Sequence, residues 1–140
     1  MTGLASLAAL EGRWHLARRI VNADGSEAAL EGTTVFRRAG LRLIQEEEGW
    51  LRLPGGGAAL RATRRYLWTG VKARLEVSFE DNRPFHTVPL GVDRPETTYL
   101  CDPDRYAVAY DFTGWPNWRS VWRVEGPRKD YVMTSDYSPA

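Results

Sequence analysis

The charged hexapeptide GPRKDY, residues 126–131, holds the side chains best suited to bind an anionic group. It follows the apolar-rich run WRSVWRV and leads into YVMTSDY, so three charges enter a strand together. Because side chains alternate along a strand, Arg128 and Asp130 share one face, and Lys129 and Tyr131 share the other. Only half of this stretch can therefore face the interior, and we expect Arg128 to belong to that half.

A buried arginine is stable only when its charge is paired, which leaves two interpretations of Arg128. In the structural interpretation it pairs with a carboxylate such as Asp111 or Asp130. In the functional interpretation its planar guanidinium binds a ligand carboxylate or phosphate through paired hydrogen bonds, with contributions from Arg18 and Arg64. The sequence leaves both interpretations open.

His86, in the segment RPFH, is a weak candidate for a catalytic residue. Its imidazole suits a general base near neutral pH, but no nucleophile pattern accompanies it, and a hydrogen-bonded residue at the rim is the plainer interpretation. Two distant histidines and one cysteine form no recognised metal-ligand spacing. The loop PGGGA lacks the Lys and the helix of a phosphate-binding loop. We expect neither a metal nor a cofactor.

The elements that must position these side chains follow from the hydrophobic period. Leu4, Leu7 and Leu10 have helical spacing and predict a short helix over Thr2–Leu10. From Arg13 onward the period is two, and turn residues separate the runs. The predicted strands, about ten in number, lie at 13–21, 28–38, 41–48, 60–69, 71–80, 84–90, 97–101, 106–112, 118–124 and 128–135.

Evenly spaced strands that are apolar on one side are typical of an antiparallel barrel or sandwich. We expect an all-β fold, a closed antiparallel up-and-down barrel of about ten strands with a short N-terminal helix, because closure removes exposed sheet edges. The alternation also predicts an interior that carries rings and polar groups. The expected ligand-binding side chains are Trp14, Arg18, Tyr66, Trp68, Tyr106, Tyr110, Trp122 and Arg128.

The composition limits the class of partner. The 140 residues fit one β-barrel domain over residues 1–140, and 19 Lys and Arg against 18 Asp and Glu leave a formal charge of +1. No overall field therefore attracts nucleic acid or an anionic membrane. No window approaches the apolar length of a membrane-spanning helix, and MTGLASLAAL lacks the basic region of a signal peptide. We expect a cytoplasmic protein with a small-molecule partner.

Several motifs carry a resemblance to known families. Gly12-x-Trp14 resembles the opening strand motif of calycins, the superfamily of lipocalins and fatty-acid-binding proteins. A second resemblance covers almost the whole chain: the motifs RYLW, RPFH, YDFTGWPNW and GPRKDYVMTSDY resemble the signature of a small bacterial family, domain of unknown function 6314. This resemblance implies a calycin-like barrel in a bacterial cytoplasm, and it assigns no catalytic residues.

These observations support three hypotheses about function. The leading one is a binding module whose barrel interior holds a small hydrophobic or amphipathic ligand, with Arg128 fixing its polar end. The second is an enzyme of isomerase, lyase or hydrolase type that uses the same cavity, with His86 as base and Tyr110 or Arg128 stabilising charge. The third is an interaction protein that forms a homodimer through the region from Trp115 to Trp122. In each case the rings could instead simply fill the barrel.

Overall fold

Ten antiparallel strands build the protein in a computed structural model that describes residues 3–140. They follow one another up and down in chain order with short connections, and the predicted all-β barrel of about ten strands is confirmed. The strands are β1 (Gly12–Asn22), β2 (Glu27–Ala39), β3 (Arg42–Arg52), β4 (Leu60–Val71), β5 (Arg74–Phe79), β6 (Pro84–Pro89), β7 (Glu96–Cys101), β8 (Asp104–Asp111), β9 (Trp118–Glu125) and β10 (Asp130–Pro139).

The two-residue period explains which side of each strand faces inward. In β9, Trp118, Ser120, Trp122 and Val124 are buried, and the residues between them lie on the outer face. The outer residues are largely charged and pair across neighbouring strands, as Arg119 of β9 does with an Asp of β10. Alternation of this kind places one side chain in two inside the barrel.

The barrel is nearly closed rather than closed. The ladder order is β6-β5-β4-β3-β2-β1-β10-β9-β8-β7, so β1 pairs with β10 and joins the two ends of the chain, while β6 and β7 are the edges of the sheet. Gly32 of β2 and Gly49 of β3 are opposite each other, and a Cβ atom on Gly32 would overlap the Glu48 carbonyl group. Glycine at these positions lets the two strands approach closely.

Side chains span the seam between β6 and β7. The register of β5 and β6 shifts at Val77 and Ser78, which oppose His86 and Pro84, so Phe85 is the extra residue of a bulge. A bulge turns two neighbouring side chains toward the same side, and both Phe85 and His86 are buried. The Phe85 ring contacts Tyr99 of β7 at 5.6 Å between centroids, and thereby closes part of the seam.

The segment before β1 covers one end of the barrel. The predicted helix over Thr2–Leu10 is only a 3₁₀ turn at Leu7–Leu10, and Thr2 lies outside the described residues. Leu4 and Leu10 are fully buried, and the Leu10 carbonyl accepts a hydrogen bond from Trp14 Nε1 at 2.9 Å. The leucine spacing therefore indicates a segment that plugs the barrel, and a single tight turn is enough to bury these side chains.

The opposite end, formed by the β1–β2, β3–β4, β5–β6, β7–β8 and β9–β10 connections, has no such plug among the described residues; we call it the open end. β4 is longer than its neighbour β5 there, since pairing between them begins only at Tyr66. The residues of β4 before Tyr66 pair with β3 alone. Within residues 3–140, no helix is long and apolar enough to cross a membrane.

Candidate ligand site inside the barrel

Seven of the eight side chains predicted to bind a ligand come together in the barrel. Six of them are buried, and Tyr66 is half-buried where the interior meets the open end. Trp14 lies under the N-terminal plug, and the others lie further along the barrel. Those inward-facing residues are Trp14, Arg18, Tyr66, Trp68, Tyr106, Tyr110 and Trp122.

Arg128 does not join this set. It lies exposed in the connection between β9 and β10, and β10 begins only at Asp130. The prediction of an inward Arg128 is wrong because Met133, Ser135 and Tyr137 are the inward residues of β10. Arg128 precedes the strand and has the parity of its outer face. Asp130 faces outward and pairs with Arg123 at 3.2 Å, while Lys129 Nζ contacts Asp104 at 3.1 Å and the Tyr106 hydroxyl at 3.3 Å.

The buried charge at the centre of the barrel belongs to Arg18. Its guanidinium forms an ion pair with Glu47 of β3 at 3.0 Å, and each side chain is only 4% exposed. Arg18 Nε also donates to the Ser135 hydroxyl at 2.7 Å. Burial opposes the charge on Arg18, but the Glu47 carboxylate and the Tyr137 hydroxyl beside it raise its pKa above the ordinary value. Arg18 therefore keeps its charge within the protein.

A chain of hydrogen bonds extends from Glu47 to the neighbouring walls. Glu47 Oε2 accepts from Tyr137 at 2.9 Å and from the Gln45 amide at 3.0 Å. Gln45 in turn accepts from Trp68 Nε1 at 2.8 Å. Buried ionic groups cost several kcal/mol of desolvation each, and aliphatic residues of similar volume often give equal or greater stability. Packing of a barrel core alone does not require a buried network of charges and hydrogen bonds of this extent.

His86 and Tyr110 form a second polar group on the opposite wall. His86 Nε2 and the Tyr110 hydroxyl share a hydrogen bond of 2.7 Å. Burial lowers the pKa of His86 to about 3 and raises the pKa of Tyr110 well above its ordinary value. Both groups are therefore neutral at physiological pH. An imidazole with so low a pKa is a weak general base, so its burial does not favour the catalytic role considered for His86.

The two polar groups meet at a cavity of about 20 Å³. Its walls come from β1, β3, β4, β5, β6, β8, β9 and β10, and Arg18, Glu47, His86, Trp118 and Ser120 all line it. A volume of about 10–15 Å³ is enough for one water molecule. The sequence pattern predicts a hollow that holds a whole ligand, but rings such as Phe85, which is absent from the predicted set, fill most of that space.

Some residues that line this cavity carry buried polar atoms without a hydrogen-bonding partner within residues 3–140. His86 Nδ1 and Trp118 Nε1 are buried and unpaired, and Glu47 Oε1 has only its ionic contact with Arg18. The Trp118 group is a donor, the Glu47 oxygen is an acceptor, and His86 Nδ1 is either, according to its tautomer. Unpaired buried polar groups are uncommon and cost about 1–3 kcal/mol each. His86 Nδ1 and Trp118 Nε1, on two residues that line one small cavity, are therefore free to bind a further polar group.

Tyr66 and Glu47 separate this cavity from an open groove at the surface, because both residues line both spaces. The groove also contains Arg64 and Phe79. Arg64 lies over the ring of Trp122, 5.7 Å from its centroid, and Trp122 belongs to the wall of the cavity. The Tyr66 ring and the Arg64 guanidinium therefore lie on the groove side of the cavity wall.

Sequence reasoning missed Glu47 and Gln45. They lie in the run LIQEEEGW, where Leu43 and Ile44 are both apolar and three glutamates follow one another. The period is ambiguous in such a run, and consecutive carboxylates are usually solvated. Two-residue alternation from Leu43 would have placed both residues on the inner face, since Leu43, Gln45 and Glu47 are all buried.

The tryptophan rings between Trp115 and Trp122 pack toward the interior of the protein. Trp118 and Trp122 are buried, and Trp115 packs on Trp14 at 5.5 Å between ring centroids. An exposed aromatic cluster, the feature on which the dimer hypothesis depended, is not found in this region. The most exposed large apolar side chains are elsewhere, at Leu41 and Leu100.

Comparison with known proteins agrees with this architecture. Residues 10–139 match the model of a family described as "Family of unknown function (DUF6314)". The chain belongs to this family. The resemblance inferred from RYLW, RPFH, YDFTGWPNW and GPRKDYVMTSDY is thereby confirmed, and family membership brings no assigned activity.

Among solved structures, a de novo designed fluorescence-activating β-barrel is similar to this chain. The two are 12% identical in sequence, the alignment covers 98% of this chain and 99% of the designed one, and the TM-score is 0.50. At this identity the likeness concerns the barrel fold alone. No curated protein matches the chain in sequence.

Proposed function

We propose that the protein binds a small amphipathic molecule that enters from the open end and places one hydrogen-bonding group in the central cavity. The observation that carries this proposal is a pair of buried polar atoms without a hydrogen-bonding partner, His86 Nδ1 and Trp118 Nε1, on residues that line that cavity. A ligand atom that satisfies them recovers the free energy that their burial costs. The aromatic walls offer the remainder of the contact, as in most small-molecule sites.

Binding requires the rings near the open end to move. The cavity of about 20 Å³ accommodates one water-sized group, so the body of a ligand must occupy space now filled by Tyr66 and by the Arg64–Trp122 stack. Tyr66 is the ring in the way, since it borders both the cavity and the surface groove. The proposal therefore includes displacement of Tyr66 toward the groove when a ligand binds.

The ligand class follows from the lining. The polar centre is neutral overall, because Arg18 and Glu47 compensate each other and His86 is uncharged. A ligand group that reaches the centre must then be uncharged as well, such as a hydroxyl, carbonyl or amide, since a buried unpaired charge is strongly disfavoured. The calycin-like role, the cytoplasmic location and the bacterial origin implied by the sequence are parts of the same proposal.

Native mass spectrometry of the protein mixed with 2-naphthalenemethanol, an aromatic alcohol, tests this function. Ser120 lines the cavity, so Ser120→Val fills it and removes a hydroxyl group; Thr98→Val makes a similar change on an exposed position of β7 and serves as the control. We expect one bound molecule on the wild-type protein and on Thr98→Val, and loss of that complex in Ser120→Val. Absence of the complex in all three, or equal binding by Ser120→Val, would contradict the proposal.

A further inference from the structure

Arg64 is a half-buried cation on the inner face of β4, at the open end of the barrel. Two other cations at this end, Arg83 and Lys129, have a carboxylate partner. Arg83 pairs with Asp81 at 2.7 Å, and Lys129 pairs with Asp104 at 3.1 Å. Within residues 3–140, Arg64 has no carboxylate at ion-pair distance, which sets it apart from these neighbours.

The register of the sheet shows why Arg64 has no partner. Glu47 of β3 is its cross-strand neighbour and would ordinarily be its counter-ion. That carboxylate is already occupied by Arg18, Gln45 and Tyr137 in the centre of the barrel. The charge of Arg64 is therefore left for something that approaches from the groove.

Aromatic groups hold the guanidinium in place without neutralising it. It lies over the Trp122 ring at 5.7 Å, and Nη1 donates to the Tyr66 hydroxyl at 3.3 Å. Stacking on one ring fixes the plane of a guanidinium and leaves donors at its edge available for a planar anion. Tyr131 is also near Arg64. Burial raises the pKa of Tyr131, and the positive charge of Arg64 offsets part of that rise.

We propose that Arg64 is the anion-binding residue of the ligand site and that the ligand carries a carboxylate at its outer end. A carboxylate in the groove pairs with the guanidinium edge, while the ring system of the ligand takes the place of Tyr66. This inference rests on the proposed function and adds to it the ligand's charge and orientation: anion at the open end, neutral polar group at the centre. An organic phosphate has the same charge chemistry, and its binding is one arm of the test.

Isothermal titration calorimetry with three matched probes separates these outcomes. 2-Naphthoate supplies a carboxylate, 2-naphthyl phosphate supplies a phosphate, and 2-naphthalenemethanol supplies the same rings without charge. Each probe is titrated into wild-type protein, Arg64→Gln, Arg64→Lys and Arg128→Gln. The last variant removes an exposed charge from the β9–β10 connection at the same end of the barrel, and so controls for the general field. The thermal midpoint of each variant shows that it is folded.

The wild-type protein should bind 2-naphthoate about tenfold or more tightly than the alcohol, the order expected for one charge-assisted contact. Arg64→Gln should abolish this preference without weakening the alcohol, Arg64→Lys should keep part of it, and Arg128→Gln should keep all of it. If the protein binds 2-naphthyl phosphate more tightly than 2-naphthoate, the anionic group of the ligand is a phosphate and not a carboxylate.

Two results would overturn the inference in different ways. If all folded variants bind the acid and the alcohol equally, Arg64 has only a packing role on Trp122, and the proposed ligand binding stands without it. If none of the three probes binds to the wild-type protein, the inference fails together with the proposed function.

Discussion

His86 Nε2 and the Tyr110 hydroxyl lie 2.7 Å apart and connect β6 with β8 across the seam that backbone pairing leaves open. The contact is buried; His86 faces inward by regular alternation with Val88, and the bulge adds the Phe85 ring beside it. A neutral imidazole is thus part of the closure of the barrel. Protonation of this imidazole would place an unpaired charge in the core.

This relationship predicts a loss of stability in acid. Burial holds the pKa of His86 at about 3 in the folded protein, below the ordinary 6.5, so the unfolded chain takes up a proton first as the pH falls. The contribution is fully present above pH 6.5 and is lost progressively down to about pH 3. The free energy of unfolding should fall by about 1.4 kcal/mol per pH unit from this group within that window.

Urea unfolding of wild-type protein and His86→Gln at a series of pH values measures this contribution. The variant should show a shallower dependence on pH whatever its absolute stability, whereas His15→Gln, on the exposed outer face of β1, should follow the wild type. Identical slopes for wild type and His86→Gln would show that His86 is not held neutral by burial.

The Arg18–Glu47 pair predicts a strong coupling between the two residues. Arg18→Met leaves the Glu47 carboxylate buried without its partner, and Glu47→Met leaves the Arg18 guanidinium buried without its partner. Each change should therefore lower the free energy of unfolding by about 3–5 kcal/mol. The double variant removes both charges and should recover much of that loss. Chemical denaturation of the four proteins gives the coupling free energy directly.

An exposed pair gives the matched comparison. Arg119 and Asp136 are about half exposed, at 54% and 53%, and lie 2.6 Å apart. Arg119→Met and Asp136→Met should each cost less than about 1 kcal/mol and show little coupling. Additive costs at the Arg18–Glu47 pair would mean that the two charges are solvated and that the centre of the barrel is not dry.

Tyr66 is predicted to limit access to the central cavity. Tyr66→Ala removes the ring that borders both the cavity and the groove, so the affinity for 2-naphthalenemethanol should rise, while the loss of packed volume should lower stability by about 3 kcal/mol or more. Tyr99→Ala removes a half-buried ring at the seam that borders neither space and serves as the control. Calorimetric titration at a temperature where both variants are folded makes the comparison. Unchanged affinity in Tyr66→Ala would mean that the ligand does not pass this residue.

Much of the fold follows from local patterns. Period-two alternation and turn residues are sufficient to find all ten strands, with boundaries that differ by a few residues. Parity along those strands also identifies the inward direction of Arg18, Tyr110 and Trp122. These features depend on one strand at a time, which is why a single sequence contains them.

The errors concern relationships between strands. Alternation in GPRKDYVMTSDY does not say which face of β10 points inward, and the pairing with β9 decides it. Met133 lies opposite the buried Trp122, so Asp130, and Arg128 with the same parity, belong to the outer face. The bulge that buries Phe85 beside His86 depends on the register of β5 and β6. Cavity volume depends on how all the rings pack together, and no alternation pattern contains that information.

The crystal structure of the complex with 2-naphthalenemethanol is the most direct test of ligand binding in the barrel. The probe should lie inside the barrel, with its hydroxyl group within hydrogen-bond distance of His86 Nδ1 or Trp118 Nε1. The Tyr66 ring should have moved into the groove. A probe bound only on the outer surface, with Tyr66 and the central cavity unchanged, would contradict this prediction.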